Sequence, residues 1–225
     1  MILSAATSNP GKLRDFAWAA QGYLPGGEPV EIVPLPGLSR IPPPVEDGAT
    51  FEENARLKAV YYSRCAPEAW VVADDSGLEV DSLGGRPGVR SARFAEDVGP
   101  RSDAEEMGIA LSGAEIDERN NATLLQLIEG VPAEKRAARY RCVLALARCG
   151  EVAATAEGLL EGRMLFAPRG AGGFGYDPLF LLPDLNLTMA EIDPGTRLKV
   201  SHRGRALRVL LERIQQVPLI ARDVR

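Results

Sequence analysis

A short apolar run, Trp70-Val71-Val72-Ala73, leads straight into Asp74-Asp75-Ser76-Gly77, and no other stretch restricts the fold of this chain so tightly. The run reads as a buried strand. Two adjacent carboxylates leaving a buried strand repel each other unless a metal ion or cationic side chains compensate them. Ligand sites of open α/β sheets gather at the C-terminal ends of strands, which is where the sequence places these acids. Mg²⁺ is the simplest compensation. Hard cations take oxygen ligands, and Glu46, Glu53, Asp74 and Asp75 can supply one or two carboxylates while a substrate's phosphates complete an octahedron. The plainer alternative for the same segment is a turn with an Asx cap and solvated acids.

Upstream, residues 1–6 read as a buried strand that stops at Thr7-Ser8-Asn9-Pro10-Gly11-Lys12, where Asn9 can cap a helix and Pro10 suits its first turn. Hydroxyls, an amide, backbone N–H groups and an ammonium then meet at the positive end of a helix, the equipment of a phosphate cradle. It is not a Walker A loop, which needs glycine at the place of Ala6 and Ser or Thr at that of Leu13. An ordinary helix cap is the alternative. Residues 22–48 are rich in Gly and Pro and read mostly as loop, with a strand near residues 30–33. Thr50-Phe51-Glu52-Glu53 is a capping box, followed by an apolar-periodic helix to about Cys65. Phe51, Ala55, Ala59 and Tyr62 make its stripe, and Asn54 and Lys58 stand on the border one turn apart.

Beyond Gly77 the pattern predicts a hairpin or meander through residues 78–83, a turn at Gly84-Gly85-Arg86-Pro87-Gly88, and an irregular polar insertion over residues 96–116. Residues 117–129 read as a helix closed by Gly130. Residues 138–147 and 151–156 read as strands joined at Cys149-Gly150, with a third over residues 159–166. The last helix runs from about His202 to Gln216, capped by Ser201, with Ala206, Leu207, Leu210, Leu211 and Ile214 on its apolar face. Gly172-Gly173-Phe174-Gly175-Tyr176-Asp177-Pro178 joins chain flexibility to two aromatics and a carboxylate, suited to stacking on a planar base and gripping its polar edge. Core aromatics on a turn are the alternative. His202, the one histidine, and Arg203 could reach a base carbonyl or a phosphate from the start of their helix.

These patterns describe an α/β protein, and 225 residues with 45% hydrophobic content suffice for one large domain or two lobes sharing a core. A formal net charge of −5 opposes a wide basic face for nucleic acid. Cys65, Cys142 and Cys149 lack metal-ligand or CxxC spacing, so reduced thiols in the cytoplasm are expected. No apolar stretch approaches the roughly 18 residues of a membrane span. A serine hydrolase is disfavoured, because GxSxG is absent and Ser76 follows two aspartates that oppose a nearby oxyanion. Cys142 alternates with apolar neighbours and reads as core rather than nucleophile.

Taken in order, six segments resemble the inosine triphosphate pyrophosphatase family. They are T-x-N-x-x-K at residues 7–12, F-x-E-N-A-x-x-K-A at 51–59, A-D-D-S-G-L-x-V-D at 73–81, L-G-G-x-P-G-V-x-S-A-R at 83–93, G-F-G-Y-D-P at 173–178 and S-H-R-x-x-A-L at 201–207. The resemblance spans nearly the whole chain. It implies a single domain over residues 1–225 with an elongated, curved mixed sheet flanked by helices, two lobes with an active-site cleft between them, and a homodimer. It also implies Mg²⁺-dependent cleavage of ITP, dITP and XTP between the α- and β-phosphates, giving a nucleoside monophosphate and pyrophosphate.

Carried over residue by residue, the resemblance makes Asp75 the general base and a metal ligand, Glu46 the second metal carboxylate and Asp74 a close support. Lys12 and Lys58 offset the charge growing on the phosphates. Thr7, Ser8, Asn9, Pro10, Gly11 and Lys12 match the phosphate-binding loop, and Ser76 a substrate contact. Phe174, Gly175, Tyr176, Asp177, His202 and Arg203 match the nucleoside pocket, where a donor facing the base's six position would reject ATP. Two departures stand out. The family's lysine five residues before the histidine is here Arg197, with Lys199 two residues on, and the stretch from 96 to 116 is longer than expected. A nucleotide-binding regulatory protein on the same scaffold, and a pyrophosphatase for pyrimidine nucleotides, are the competing readings.

Overall fold

The apolar N-terminal run forms β1 (Ile2–Ala5), and Asn9 ends the loop after it by accepting the Gly11 and Lys12 amides at 2.8 and 3.1 Å. Helix α1 (Pro10–Gln21) follows, then β2 (Glu31–Pro34). The computed structural model describes residues 1–21, 30–98 and 110–215. Helix α2 (Phe51–Cys65) starts at the capping box, whose two reciprocal bonds are both present. The next elements are β3 (Val71–Val80), α3 (Phe94–Val98) and α4 (Gly113–Leu127). Strands β4 (Ala137–Arg148), β5 (Glu151–Met164), β6 (Phe180–Leu182) and β7 (Leu187–Thr188) lead to helices α5 (Pro194–Val200) and α6 (His202–Gln215). The strands form one mixed sheet in the order β2-β1-β3-β4-β5-β6-β7, parallel between β1 and both its neighbours and antiparallel from β5 to β7. The patterns predict an α/β chain, and the mixed sheet is what the resemblance implies. Among the described residues no helix is long and apolar enough to cross a membrane.

By its contacts the chain divides into two units. The first comprises Met1–Ser76, Arg141–Leu160 and the chain from Leu198. Its main core joins Leu3 and Ala5 of β1, Val72 of β3 and Leu144 and Leu146 of β4 to Phe16, Ala19 and Ala20 of α1 and Leu207, Leu210, Leu211 and Ile214 of α6. Val71, the neighbour of Val72, instead packs with Leu35 and with Tyr62 of α2. Successive strand residues face opposite ways, so α1 and α6 cover one face of the sheet and α2 the other. The turn between β4 and β5 is Cys149-Gly150, with φ of 53° and 83°. Two residues at positive φ match the twist of a tight hairpin.

Gly158 of β5 lies under the start of α6. A Cβ there would stand 2.2 Å from the His202 carbonyl oxygen and 2.4 Å from the Ala206 nitrogen, backbone atoms that cannot swing aside. Gly158→Ala is therefore expected to cost about 1–3 kcal/mol. A urea titration checks this, and an unchanged midpoint would show that α6 shifts freely.

The second unit comprises Gly77–Tyr140 and Glu161–Arg197. Leu124 and Ile128 of the α4 region and Leu179 and Phe180 near β6 are fully buried, and the Tyr140 and Phe180 rings pack with centroids 4.4 Å apart. Arg136 donates to the carbonyls of Ile128, Val131 and Leu165, which ties the segment after α4 to the one after β5.

Several boundaries differ from the sequence expectations. Strand β3 does not stop before the acidic pair but runs through it to Val80, so residues 78–80 are strand rather than the start of a hairpin. The predicted strands at 151–156 and 159–166 are one strand, β5. The insertion predicted over 96–116 begins within α3 and ends within α4, which starts one turn earlier than read because Ser112 and Glu115 make a second capping box. Its middle, residues 99–109, and Gln216 lie outside the described residues.

Candidate active site

The pleat of β3 resolves the repulsion between Asp74 and Asp75. Asp74 falls in register with Val72, on the face of α1 and α6; Asp75 falls with Val71, on the face of α2. Each carboxylate then meets its own lysine. Lys12, one turn into α1, places Nζ 2.7 Å from Asp74 Oδ2, and Lys58 of α2 places Nζ 3.1 Å from Asp75 Oδ1. The backbone sends the adjacent acids apart, and a lysine on each face compensates the charge there.

On the α1 and α6 face, Ser76 Oγ donates to Asp74 Oδ2 at 3.1 Å and accepts from Arg203 Nη2 at 3.1 Å. Arg203 also donates to Asp15 Oδ2 at 3.3 Å, joining α6 to α1. Asp74 is 4% exposed. That burial opposes ionisation, but Lys12, then Lys58 and Arg203, outweigh it and hold the carboxyl at about 2. Asp74 is a permanent anion at neutral pH.

On the α2 face the balance reverses. Burial raises the Asp75 pKa above the usual carboxylate range despite the pull of Lys58 and Asn54, and the Asp74 charge adds to the rise. Lys58 Nζ donates to Glu46 Oε2 at 2.8 Å as well as to Asp75. Burial alone would lower its pKa, yet the charges of Asp75, Asp74 and Glu46 together raise it. One ammonium thus sits between the two carboxylates that the resemblance assigns to a metal. Asn54 Nδ2 donates to Asp75 Oδ2 at 3.1 Å while Asn54 Oδ1 accepts the Gly48 amide at 2.8 Å. Asn54 therefore fixes both Asp75 and the loop that carries Glu46. Among the described residues no three His, Cys, Asp or Glu side chains converge as a ready-made metal centre.

The loop at residues 7–12 is partly self-satisfied, since Asn9 takes the Gly11 and Lys12 amides and Thr7 Oγ1 accepts the Asn9 amide at 3.2 Å. Ser8 and Pro10 are exposed, Gly11 is buried, and the Lys12 side chain keeps 21% of its surface open. His202 is 1% exposed at the first position of α6. Glu53, weighed as a ligand, is exposed and spends its carboxylate on the amides of Ala49 and Thr50.

Phe174, Gly175, Tyr176, Asp177 and Arg197 belong to the second unit. Asp177 is the hub there. It accepts from Arg197 Nη1 at 3.0 Å, Tyr140 OH at 3.1 Å and the Phe174 amide at 3.1 Å. Arg197 also stands 5.8 Å from the Phe174 ring centroid, whereas Lys199 is exposed. Of the two cations that compete for the family lysine's place, Arg197 is the one turned to Asp177. Tyr176 OH donates to the Ser91 carbonyl at 2.8 Å.

Sequence reasoning missed Asp15, whose partner lies 188 residues away, and left Asn54 without a role although it stands one turn before Lys58. The i, i+4 spacing of those two was the available signal for Asn54.

A sequence model of the Ham1 family matches residues 3–213. The chain is 57% identical over 215 residues to the dITP/XTP pyrophosphatase of Acidobacterium capsulatum, covering 95% of this chain and 98% of that protein. It is 44% identical to the dITP/XTP pyrophosphatase of Geobacillus kaustophilus over 94% and 93% of the two chains. Among solved structures it is similar to a HAM1 protein from Coxiella burnetii, with a TM-score of 0.75 and 30% identity over 96% of this chain and 100% of that one. A nucleoside-triphosphatase / dITP/XTP pyrophosphatase from Mycobacterium abscessus matches with a TM-score of 0.65 and 36% identity over 94% and 99%.

Proposed function

The chain belongs to the Ham1 family, and on that premise we propose that it hydrolyses deaminated purine nucleoside triphosphates, dITP, ITP and XTP, to the monophosphate and pyrophosphate with a divalent cation. The observation that carries the chemistry is the Lys58 ammonium held between Glu46 and Asp75. Two carboxylates near enough to share one ammonium are near enough to share one cation. Their donor set is all oxygen, as Mg²⁺ requires, and Mg²⁺ needs only one or two carboxylates beside substrate phosphates and water. The residues fit the group. Bound there, the ion would polarise the phosphates and acidify water.

The chain's own residues supply the rest. Asp75, made more basic by burial, orients the attacking water and accepts its proton at a carboxylate oxygen. Lys58, its charge secured by its acidic neighbours, and Lys12 stand ready to neutralise charge on the scissile phosphates. Asp74 holds Lys12 in place, and Ser76, Arg203 and Asp15 hold Asp74. Thr7, Ser8 and Asn9 shape the loop that leads to Lys12. Pyrophosphate is a good enough leaving group that no covalent nucleophile is needed. Phe174, Gly175, Tyr176, Asp177 and Arg197, with His202 and Arg203, are proposed as nucleoside contacts on the resemblance alone. A cytoplasmic homodimer belongs to the same proposal.

Incubation with Mg²⁺ and either ITP or ATP tests this reading. IMP with pyrophosphate, and ATP nearly untouched, is the expected result. IDP with phosphate would refute the bond assignment, and binding without hydrolysis would favour a regulatory binder. Preference for dUTP or dTTP in competition would point to pyrimidines.

A further inference from the structure

Helix α4 carries Asp117 and Asn121 one turn apart, and they hold the two peptide groups that flank one residue of another segment. Asp117 Oδ2 accepts the Gly175 amide at 2.7 Å, and Asn121 Nδ2 donates to the Gly175 carbonyl at 3.0 Å. Gly175 has φ of +63° and nothing within 4 Å of where a Cβ would stand, so side-chain packing does not force this turn into shape. The two α4 side chains hold its middle residue, while Asp177 holds the Phe174 amide and the Ser91 carbonyl the Tyr176 hydroxyl.

On either side of Gly175 stand Phe174 and Tyr176, the aromatics of the glycine-rich segment. The amide oxygen of Asn121 is buried and has no hydrogen-bond partner among the described residues. That unmet acceptor is a cost that Asn121 carries beside its bond to Gly175. The adjacent Asn120 behaves differently. It uses both ends of its amide, accepting from the Ala95 nitrogen at 2.9 Å and donating to the Ala92 carbonyl at 3.2 Å.

We propose that Asp117 and Asn121 are positioning residues that fix the Phe174-Gly175-Tyr176 turn in the conformation that receives the purine base, and so set base affinity without touching the phosphates. This rests on the nucleoside role proposed above for that turn. It names two residues on a separate helix that neither composition nor motif marks as functional.

The test uses Asn121→Leu, Asp117→Ala and Asp117→Asn in the full chain, each assayed for ITP hydrolysis, ITP binding by calorimetry and inhibition by pyrophosphate. Each lost hydrogen bond is expected to weaken ITP about 5-fold in KM and Kd. The value of kcat and the inhibition constant for pyrophosphate should stay near those of the parent. Asp117→Asn keeps an acceptor oxygen and should recover most of the affinity lost in Asp117→Ala. Asn121→Leu removes the unmet oxygen, which offsets the bond lost at the Gly175 carbonyl, so its melting temperature should stay near the parent's.

Unchanged ITP affinity in both Asn121→Leu and Asp117→Ala would overturn the proposal. So would a parallel loss of ITP affinity, pyrophosphate affinity and melting temperature, the signature of a structural role. If the parent binds ITP without hydrolysing it, the hydrolytic reading falls while the calorimetry still decides this one. Absence of ITP binding by the parent overturns both.

Discussion

An Asp75→Asn protein folds, binds ITP and turns it over more slowly by at least about 10³-fold, within the range set by losing a general base. The substitution preserves shape but removes the proposed proton acceptor, which is also one of the two proposed metal carboxylates. It should do so at little cost in stability, for two opposing reasons. Asp75 accepts from Lys58 on one oxygen and from Asn54 on the other, so an amide group there must turn its NH₂ toward a donor and forfeit one bond. Yet burial already disfavours the Asp75 charge, as its raised pKa shows, and the neutral amide escapes that penalty. Lys58 keeps Glu46 as a partner. Single-turnover kinetics with Mg²⁺ beside a thermal melt separate the two effects. Activity within 10-fold of the parent would remove Asp75 from the role of base.

The largest expected loss of stability falls in the second unit. Asp177→Ala removes the carboxylate that meets Arg197, Tyr140 OH and the Phe174 amide at once, with the side chains of Asp177 and Arg197 only 4% and 11% exposed. Breaking a buried ion pair from one side costs about 3–5 kcal/mol, because the charge left behind stays desolvated. Arg197→Lys, which restores the residue the family pattern expects, keeps the charge but gives up the planar fork that also reaches the Met189 carbonyl. It should fall between the parent and Asp177→Ala. Denaturant midpoints order the three, and an Asp177→Ala midpoint near the parent's would show that the pair contributes little.

How much the sequence foretold depends on the range of the interaction concerned. Helix α2 was legible to the residue, because its capping box, its apolar stripe and its lysine are all local. The same holds for Asn9 at the start of α1 and for the buried face of α6. Strand β3 was read too short, since two aspartates look like the end of a strand until the partners on each face are known. Those partners, Lys12 and Lys58, stand 62 and 17 residues away, and nothing in the spacing announces them. The family resemblance drew attention to Asp75 and Glu46, but not to the shared ammonium that relates them. Arg197 illustrates the converse. Its departure from the family pattern was visible at once, while its orientation toward Asp177 rather than solvent depended on burial that only the fold defines.

The ion network of the first unit has a consequence for how the chain matures. Asp15 and Arg203 are 188 residues apart, and α1 shares its core with a helix that begins at His202. As the polypeptide leaves the ribosome, the Lys12–Asp74 and Lys58–Asp75 pairs can form early, from the first third of the chain. The part of the apolar side of α1 that packs on α6 stays uncovered until that helix has been made. Contacts of such long sequence separation fold slowly and leave sticky surface exposed meanwhile. Nascent chains halted before residue 202 would therefore keep their lysine–aspartate pairs but leave the α6-facing part of α1 open to chaperones.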